Sequence, residues 1–490
     1  MKNMTLDKIA QVSNGKLFYG KLVPAAKETD GNREVSCVVM DSRKIVPDGL
    51  FIANVGAKAD GHKFIGQVFE SGALCVVCEK TPEQVESEHG IPVEKWGAYI
   101  LVENSLQALK DIAEYYREQF EIPVVGITGS VGKTSTKEFI AGVLSQKLRV
   151  LKTEGNFNNE VGVPLTLLRL REEHEAAVVE MGISDFGEMH RLSKMVKPDI
   201  CVMTNIGQSH LDHLKSRAGI LKAKTEIFDY MSEDGFVCVN GDDDMLASLT
   251  EVKGKRVLRF GLTPDGISDR EVSGKSGGSC GYHNDVYADE VESRGLFGSS
   301  AVMYMDGESI PVEIPLPGQH MVINAMAAAL VARLLGLTAG QIAEGIAGVE
   351  AVGGRSRIMR LEKLTLIDDC YNANPVSMRS AIDLLETAPD RKVAILGDML
   401  GLGENAECLH AEVGRYAVEK GTDLLLCVGE NAVKMYDSAL ENYDGSQDIR
   451  YFATLEELLE DLPGLLLEGD TVLVKASHDM EFHRIVEFLK

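Results

Sequence analysis

The stretch GITGSVGKTSTKE, residues 126–138, decides the fold. It follows the apolar run IPVV at 122–125 and leads into FIAGVLSQKL at 139–148. The order is strand, glycine-rich turn, Lys-Thr, helix, which is the frame of a phosphate loop. In such a loop, backbone N–H groups and the helix N-terminus hold phosphate, the lysine reaches the terminal phosphates and the hydroxyl meets Mg²⁺. Gly132, Lys133 and Thr134 fit that pattern, but Ile127 stands where the first glycine belongs. The expected phosphate-binding residues are Gly129, Ser130, Val131, Gly132, Lys133, Thr134 and Ser135. The competing reading is a glycine turn with a surface lysine.

Outward from this loop, the chain of 490 residues is long enough for two to four domains. Its 44% hydrophobic and 26% charged residues are ordinary for a globular protein. Fifty Lys+Arg against 75 Asp+Glu give a net charge of −25, which argues against non-specific nucleic-acid binding. No apolar run approaches the ~18 residues of a membrane span, and Asp7 interrupts the N-terminus, so neither membrane insertion nor a signal peptide is expected. The nine cysteines are scattered, which fits free thiols in the cytoplasm. Cys75 and Cys78 fall three apart in a strand pattern, so their sulfurs point to opposite faces and are expected to be core thiols rather than a metal pair.

Three α/β units are expected. Residues 1–104 alternate short strands and turns, as in VSCVVMDSR and GALCVVCE. Residues 105–318 alternate strands and helices, as a mostly parallel sheet with helices on both faces does. Within that unit, 262–315 reads as a Gly/Ser-rich loop followed by an antiparallel extension. PLPGQHM at 315–321 reads as a hinge, and 319–490 as a smaller Rossmann-like domain.

Glu180 ends the apolar strand AAVVE, where a carboxylate can hold Mg²⁺ opposite the phosphate loop. His210, Asp212 and His213 cluster after the next strand, a grouping that leaves metal binding, a helix cap and a solvated loop all open. Lys222 and Lys224 lie two apart on a helix, so only one faces the crevice.

Taken in order, TGSVGKTSTKE, EGNFNNEVGVPLT, VVEMG, TNIGQSHLDHLKSRAGILKAKTEIF, GQHMVINAMAAA, GGRSRIM, DDCYNANPVSMRSAI and ILGDMLGLGE resemble the Mur ligase family of ATP-dependent amide-forming enzymes. GNFNNEVGVP, DDCYNANP, LGDM and the N-terminal DSRKIVPDGLFIANVGAKADGHKFIGQVFESGA are most similar to the members that add D-alanyl-D-alanine to UDP-N-acetylmuramoyl-tripeptide. The resemblance implies a central ATP domain between a UDP-substrate domain and a C-terminal ligase domain. It implies ATP and Mg²⁺, an acyl-phosphate intermediate, a cytoplasmic location and a monomer. Lys133, Glu180, His210 and Lys224 then carry the chemistry, with Thr134, Glu180, His210 and a carbamate on Lys224 around metal. Asn324 is implied to meet adenine, Arg355 the phosphates and Asp369 the ribose side, while Met321 stands where the family usually has Asn. Asn158 and Asn159 are implied to face the sugar-peptide, and Ser42 and Arg43 the uridine diphosphate, since arginine suits a diphosphate. A ligase for a single amino acid, a catalytically silent nucleotide-binding subunit and a P-loop transport ATPase are the alternatives; intact catalytic positions weigh against the second, and the loose loop pattern against the third.

Overall fold

The computed structural model describes residues 1–22, 31–56, 59–208, 211–264 and 283–490. Its strands form three sheets. The first holds β1 (Lys16–Tyr19), β2 (Val38–Val39), β3 (Leu50–Ile52), β4 (Cys75–Cys78) and β5 (Ala98–Leu101) in the order β1-β5-β4-β3-β2. Only β1 runs antiparallel to its neighbour. Cys75 lies in the core shared with the first helix and Cys78 in the core around Trp96, so the two thiols occupy opposite faces of β4.

The central sheet contains β6 (Val124–Thr128), β7 (Val150–Lys152), β8 (Ala176–Glu180), β9 (Ile200–Met203), β10 (Phe236–Asn240), β11 (Glu251–Val252), β12 (Lys255–Gly261), β13 (Val286–Ser293), β14 (Ser299–Met305) and β15 (Glu308–Ile314). Its order is β15-β14-β13-β12-β10-β9-β6-β8-β7, with β11 paired to β12. The strands from β7 to β13 along that path are parallel, and β13, β14 and β15 form the expected antiparallel extension. The Gly/Ser-rich loop before it lies largely outside the described residues. β6, β8 and β9 are buried along their whole length, as parallel strands covered on both faces are. Successive residues feed opposite cores: Ala177 and Val179 one, Ala176 and Val178 the other.

The second of these cores continues past residue 318. The helices Gln319–Leu334 and Ala339–Ala347 pack on the phosphate-loop helix and share a core with β6 and β8. Ala325, Ala327, Ala328, Ala329 and Ala332 are all buried, because small side chains let this helix fit between its neighbours. The central unit therefore runs past residue 347, and the connection to the last unit is the segment before β16 (Arg357–Arg360).

The third sheet adds β17 (Thr365–Asp368), β18 (Lys392–Gly397), β19 (Leu424–Val428), β20 (Asp448–Phe452) and β21 (Thr471–Lys475) in the order β16-β17-β21-β18-β19-β20. It is parallel apart from β16, with helices on both faces. A second contact joins the two larger units: the β13–β14 turn buries Leu296 in the C-terminal core, and the Arg360 guanidinium lies 4.5 Å over the Phe297 ring.

Candidate active site

The site is built at the carboxyl ends of β6, β8 and β9, where open α/β sheets bind ligands. The phosphate-loop helix Lys133–Leu144 starts at Gly132, whose φ of 83° is left-handed, and no side chain caps it. Its first N–H groups are thus free of side-chain acceptors, the arrangement that binds anions. Gly129 sits at φ 152°, and a Cβ there would lie 1.9 Å from Thr204 Oγ1, so only glycine fits. Asn205 braces the turn: its Oδ1 accepts from Ser130 N at 3.2 Å and Val131 N at 2.9 Å. Thr204 Oγ1 donates to Val131 O at 2.5 Å.

Two lysines converge on one carbonyl. Lys133 Nζ donates to Gly129 O at 2.8 Å, and Lys224 Nζ donates to the same oxygen at 2.9 Å. Lys224 is buried and Lys222 exposed. Burial, reinforced by the Lys133 charge, holds the Lys224 amine well below the usual lysine range. Burial also lowers Lys133; Glu180 opposes that shift and Arg355 adds to it. Two charged ammonium groups on one carbonyl repel, so the deeper Lys224 is the one pushed toward the neutral amine.

Beside the lysines, Thr134 Oγ1 donates to Glu180 Oε2 at 2.7 Å, and Asn158 Nδ2 to Glu180 Oε1 at 2.8 Å. Glu180 is 1% exposed. Asn159 instead closes its own loop, accepting from Val161 N and Gly162 N. Asn324 is nearly buried; its Oδ1 accepts from Thr136 at 3.0 Å, and its Nδ2 faces Met321 Sδ at 3.6 Å.

A cavity of about 570 Å³ joins these groups to the C-terminal unit. On the near wall stand Ser130 to Lys133, Ser135, Asn158, Asn159, Glu180 and Asn324. On the far wall stand Arg355, Asp369, Tyr371, Asn372 and Lys475. Arg355 stacks 4.1 Å over the Tyr371 ring. Asp369 Oδ1 accepts from Ser356 N at 2.9 Å. His210 lies outside the described residues. Ser42 and Arg43 are not brought to this cavity: they form a short 3₁₀ turn in the N-terminal unit, where Arg43 pairs with Asp41 at 2.8 Å. Sequence reading missed Thr204, Asn205, Tyr371, Asn372 and Lys475. Lys475 did leave a signal, a cation ending the apolar strand TVLVK.

The chain is similar over nearly its whole length to known proteins. Family models match the chain as the Mur ligase middle domain over 127–332, the Mur ligase glutamate ligase domain over 354–478 and the Mur ligase family catalytic domain over 34–117. UDP-N-acetylmuramoyl-tripeptide--D-alanyl-D-alanine ligase of Bacillus subtilis (strain 168) is 34% identical over 455 residues, 92% of each chain. The Escherichia coli (strain K12) protein of the same name is 31% identical, covering 100% of this chain and 99% of its own. Among solved structures, MurF from Acinetobacter baumannii superposes with a TM-score of 0.83 at 30% identity, covering 99% of this chain and 98% of that one. MurF ligase from Thermotoga maritima in complex with ADP gives 0.75 at 27% identity, covering 92% and 96%. The chain belongs to the Mur ligase family.

Proposed function

We propose that the chain is an ATP-dependent ligase that joins D-alanyl-D-alanine to UDP-N-acetylmuramoyl-tripeptide, yielding ADP and phosphate, in peptidoglycan precursor synthesis. The observation that carries this reading is the cavity between two units, with Lys133 and Glu180 on one wall, backed by the buried Lys224 and Thr134 that hydrogen-bond Gly129 O and Glu180, and Arg355 and Asp369 on the other. Full-length relatives bearing that name support it.

The tripeptide carboxylate attacks the γ-phosphate, ADP leaves, and the amine of D-alanyl-D-alanine then displaces phosphate from the acyl phosphate. Such chemistry needs alignment and charge neutralisation more than covalent help from the protein. The loop amides and Lys133 cradle the phosphates, and Arg355 approaches them from the opposite wall. Asn324 and Asp369 bound the nucleoside end. Asn158 and Asn159 border the acyl side, while Ser42 and Arg43 in the N-terminal unit hold the uridine diphosphate.

The Thr134 hydroxyl and Glu180 carboxylate are hard oxygen donors side by side, the ligand type Mg²⁺ takes. They would hold that ion, which supplies positive charge to the phosphate oxygens when bound. Lys224 fits a second position as a carbamate: the reaction with CO₂ requires the neutral amine that its burial favours, and it turns a cation into an oxygen donor. His210 would complete that set. The enzyme works in the cytoplasm, where ATP is supplied; among the described residues no helix is long and apolar enough to cross a membrane.

Phosphate release from ATP tests the assignment. It is expected to need UDP-N-acetylmuramoyl-tripeptide and to reach steady turnover only with D-alanyl-D-alanine. Faster coupling of a free amino acid overturns the assignment in favour of a single-residue ligase.

A further inference from the structure

The far wall of the cavity contains a buried lysine that the mechanism above does not use. Lys475 ends β21 and its side chain is 2% exposed. An ammonium has three protons to donate. Lys475 directs them to one loop: Asp369 Oδ2 at 2.5 Å, Asn372 O at 3.0 Å and Asp369 O at 3.4 Å. The loop runs from β17 to the helix Pro375–Glu386, and its residues 369, 371, 372 and 374 line the cavity.

The contacts continue toward the phosphates. Asp369 uses its second oxygen, Oδ1, to take the N–H of Ser356 at 2.9 Å. Its neighbour Asp368 takes the N–H of Gly354 at 3.0 Å. Gly354 O in turn accepts from Tyr371 N at 3.0 Å. Arg355 lies between these two anchored residues, with its guanidinium stacked on Tyr371. It is near enough to Lys133 across the cavity for its charge to lower that amine. Residues 354–356 also end the connection between the central and C-terminal units, so without these anchors Arg355 would swing with the linker.

We propose that Lys475 is a positioning residue of the ligase reaction: through Asp369 and Ser356 it fixes the segment that aims Arg355 at the transferring phosphate. It does not touch the reacting atoms. The neutralised Lys475–Asp369 pair acts as a strut, because removing one member leaves the other buried and unpaired. The inference rests on the ligase reading.

The test is a double-mutant cycle read by phosphate release at saturating UDP-substrate and D-alanyl-D-alanine, over a range of ATP concentrations. Lys475→Met is expected to lower kcat by about 100-fold, the scale of a misplacement near 1 Å. KM for ATP changes less, because the phosphate loop on the other wall is untouched. Arg355→Ala lowers kcat too, and the double variant is expected to be no slower than the slower single one, since both changes remove the same contact. Ammonium chloride, against sodium chloride at equal ionic strength, is expected to restore part of the activity of Lys475→Ala by refilling the three-acceptor site. Losses that multiply, near wild-type kcat in Lys475→Met, or no response to ammonium would overturn the proposal. If Lys475→Met does not fold, Lys475→Gln replaces it in the cycle, and multiplied losses there overturn the proposal equally. Wild-type turnover in the same assay separates the two ideas: its absence counts against the ligase reading, and its presence with an unaffected Lys475 variant counts against the strut.

Discussion

The two walls of the cavity both bury lysine and treat its charge in opposite ways. On the central side, Lys133 of the wall and the buried Lys224 share a carbonyl oxygen, and among the described residues neither forms a close ion pair with a carboxylate. On the C-terminal wall, Lys475 is locked to Asp369. An unpaired buried ammonium is costly and shifts toward the neutral form, whereas a paired one keeps its charge as structure. The central wall is left without a pairing carboxylate, which the proposed phosphate, metal and carbamate would complete; the C-terminal wall is paired in advance and, on the same proposal, supplies position.

The largest effect that can break this contrast is at Lys133. Lys133→Ala removes the cation proposed to meet the phosphates and little packing, so turnover is expected to fall by at least about 10²–10³ while the fold survives. Phosphate release and circular dichroism check both halves; a folded variant with near wild-type turnover would erase the distinction between the walls.

Lys224 sharpens it. Lys224→Ala is expected to lose most activity and to regain some with added short carboxylic acids, which return an oxygen anion to the carbamate position. Lys224→Arg keeps positive charge, cannot become a metal ligand, and is expected to stay inactive. Activity in the arginine variant would return Lys224 to a plain cation.

A smaller effect tests how the C-terminal wall is held from outside the site. Leu296 reaches from the β13–β14 turn into the C-terminal core. Truncating a buried leucine typically costs about 2–5 kcal/mol, and the lower end suits a residue on a turn. Leu296→Ala is expected to speed proteolytic cutting in the connection 348–356 and to raise KM for ATP a few-fold. An unchanged cleavage rate would mean that the cavity contacts alone hold the units together.

The smallest effect is one of pH and belongs to the C-terminal unit alone. His410 is fully buried, accepts from Met399 N at 2.9 Å through Nε2, and hydrogen-bonds Ala406 O at 2.6 Å through Nδ1. Burial lowers its pKa below the ordinary value of about 6.5. The unfolded chain then takes up a proton more readily than the folded one. His410 therefore contributes full stability above about pH 6.5, and that contribution is lost as pH falls toward the folded value. Thermal midpoints between pH 7.5 and 5 are expected to fall less steeply in His410→Gln than in the wild type. Parallel curves would remove His410 as the cause.

The central wall was the legible one. Its glycines, Lys133 and Thr134 fall within the six residues 129–134, and local conformation forces them together, so a single stretch of sequence reveals them. Glu180 was found because it ends a strand whose apolar run marks its position. The C-terminal wall was read through resemblance, and Lys475 was missed, because its partner Asp369 is 106 residues away and only the sheet order makes β17 and β21 neighbours. Asn205 was missed for the same reason: it meets the phosphate loop across 74 residues. The packing that continues past residue 318 was hidden on different grounds. Proline and glycine report local turn geometry, whereas a domain edge is set by which core a helix joins, and the alanine face of Gln319–Leu334 joins the central one.

In the proposed reaction the tripeptide carboxylate takes the γ-phosphate before the amine arrives. Oxygen labelling tests it most directly. With both carboxyl oxygens of the reacting group of UDP-N-acetylmuramoyl-tripeptide carrying ¹⁸O, turnover with ATP and D-alanyl-D-alanine is expected to release phosphate containing one ¹⁸O per molecule, because the attacking oxygen leaves with phosphorus when nitrogen displaces it. Mass spectrometry of the phosphate reads the result. Unlabelled phosphate alongside amide product would contradict an acyl phosphate in this cavity.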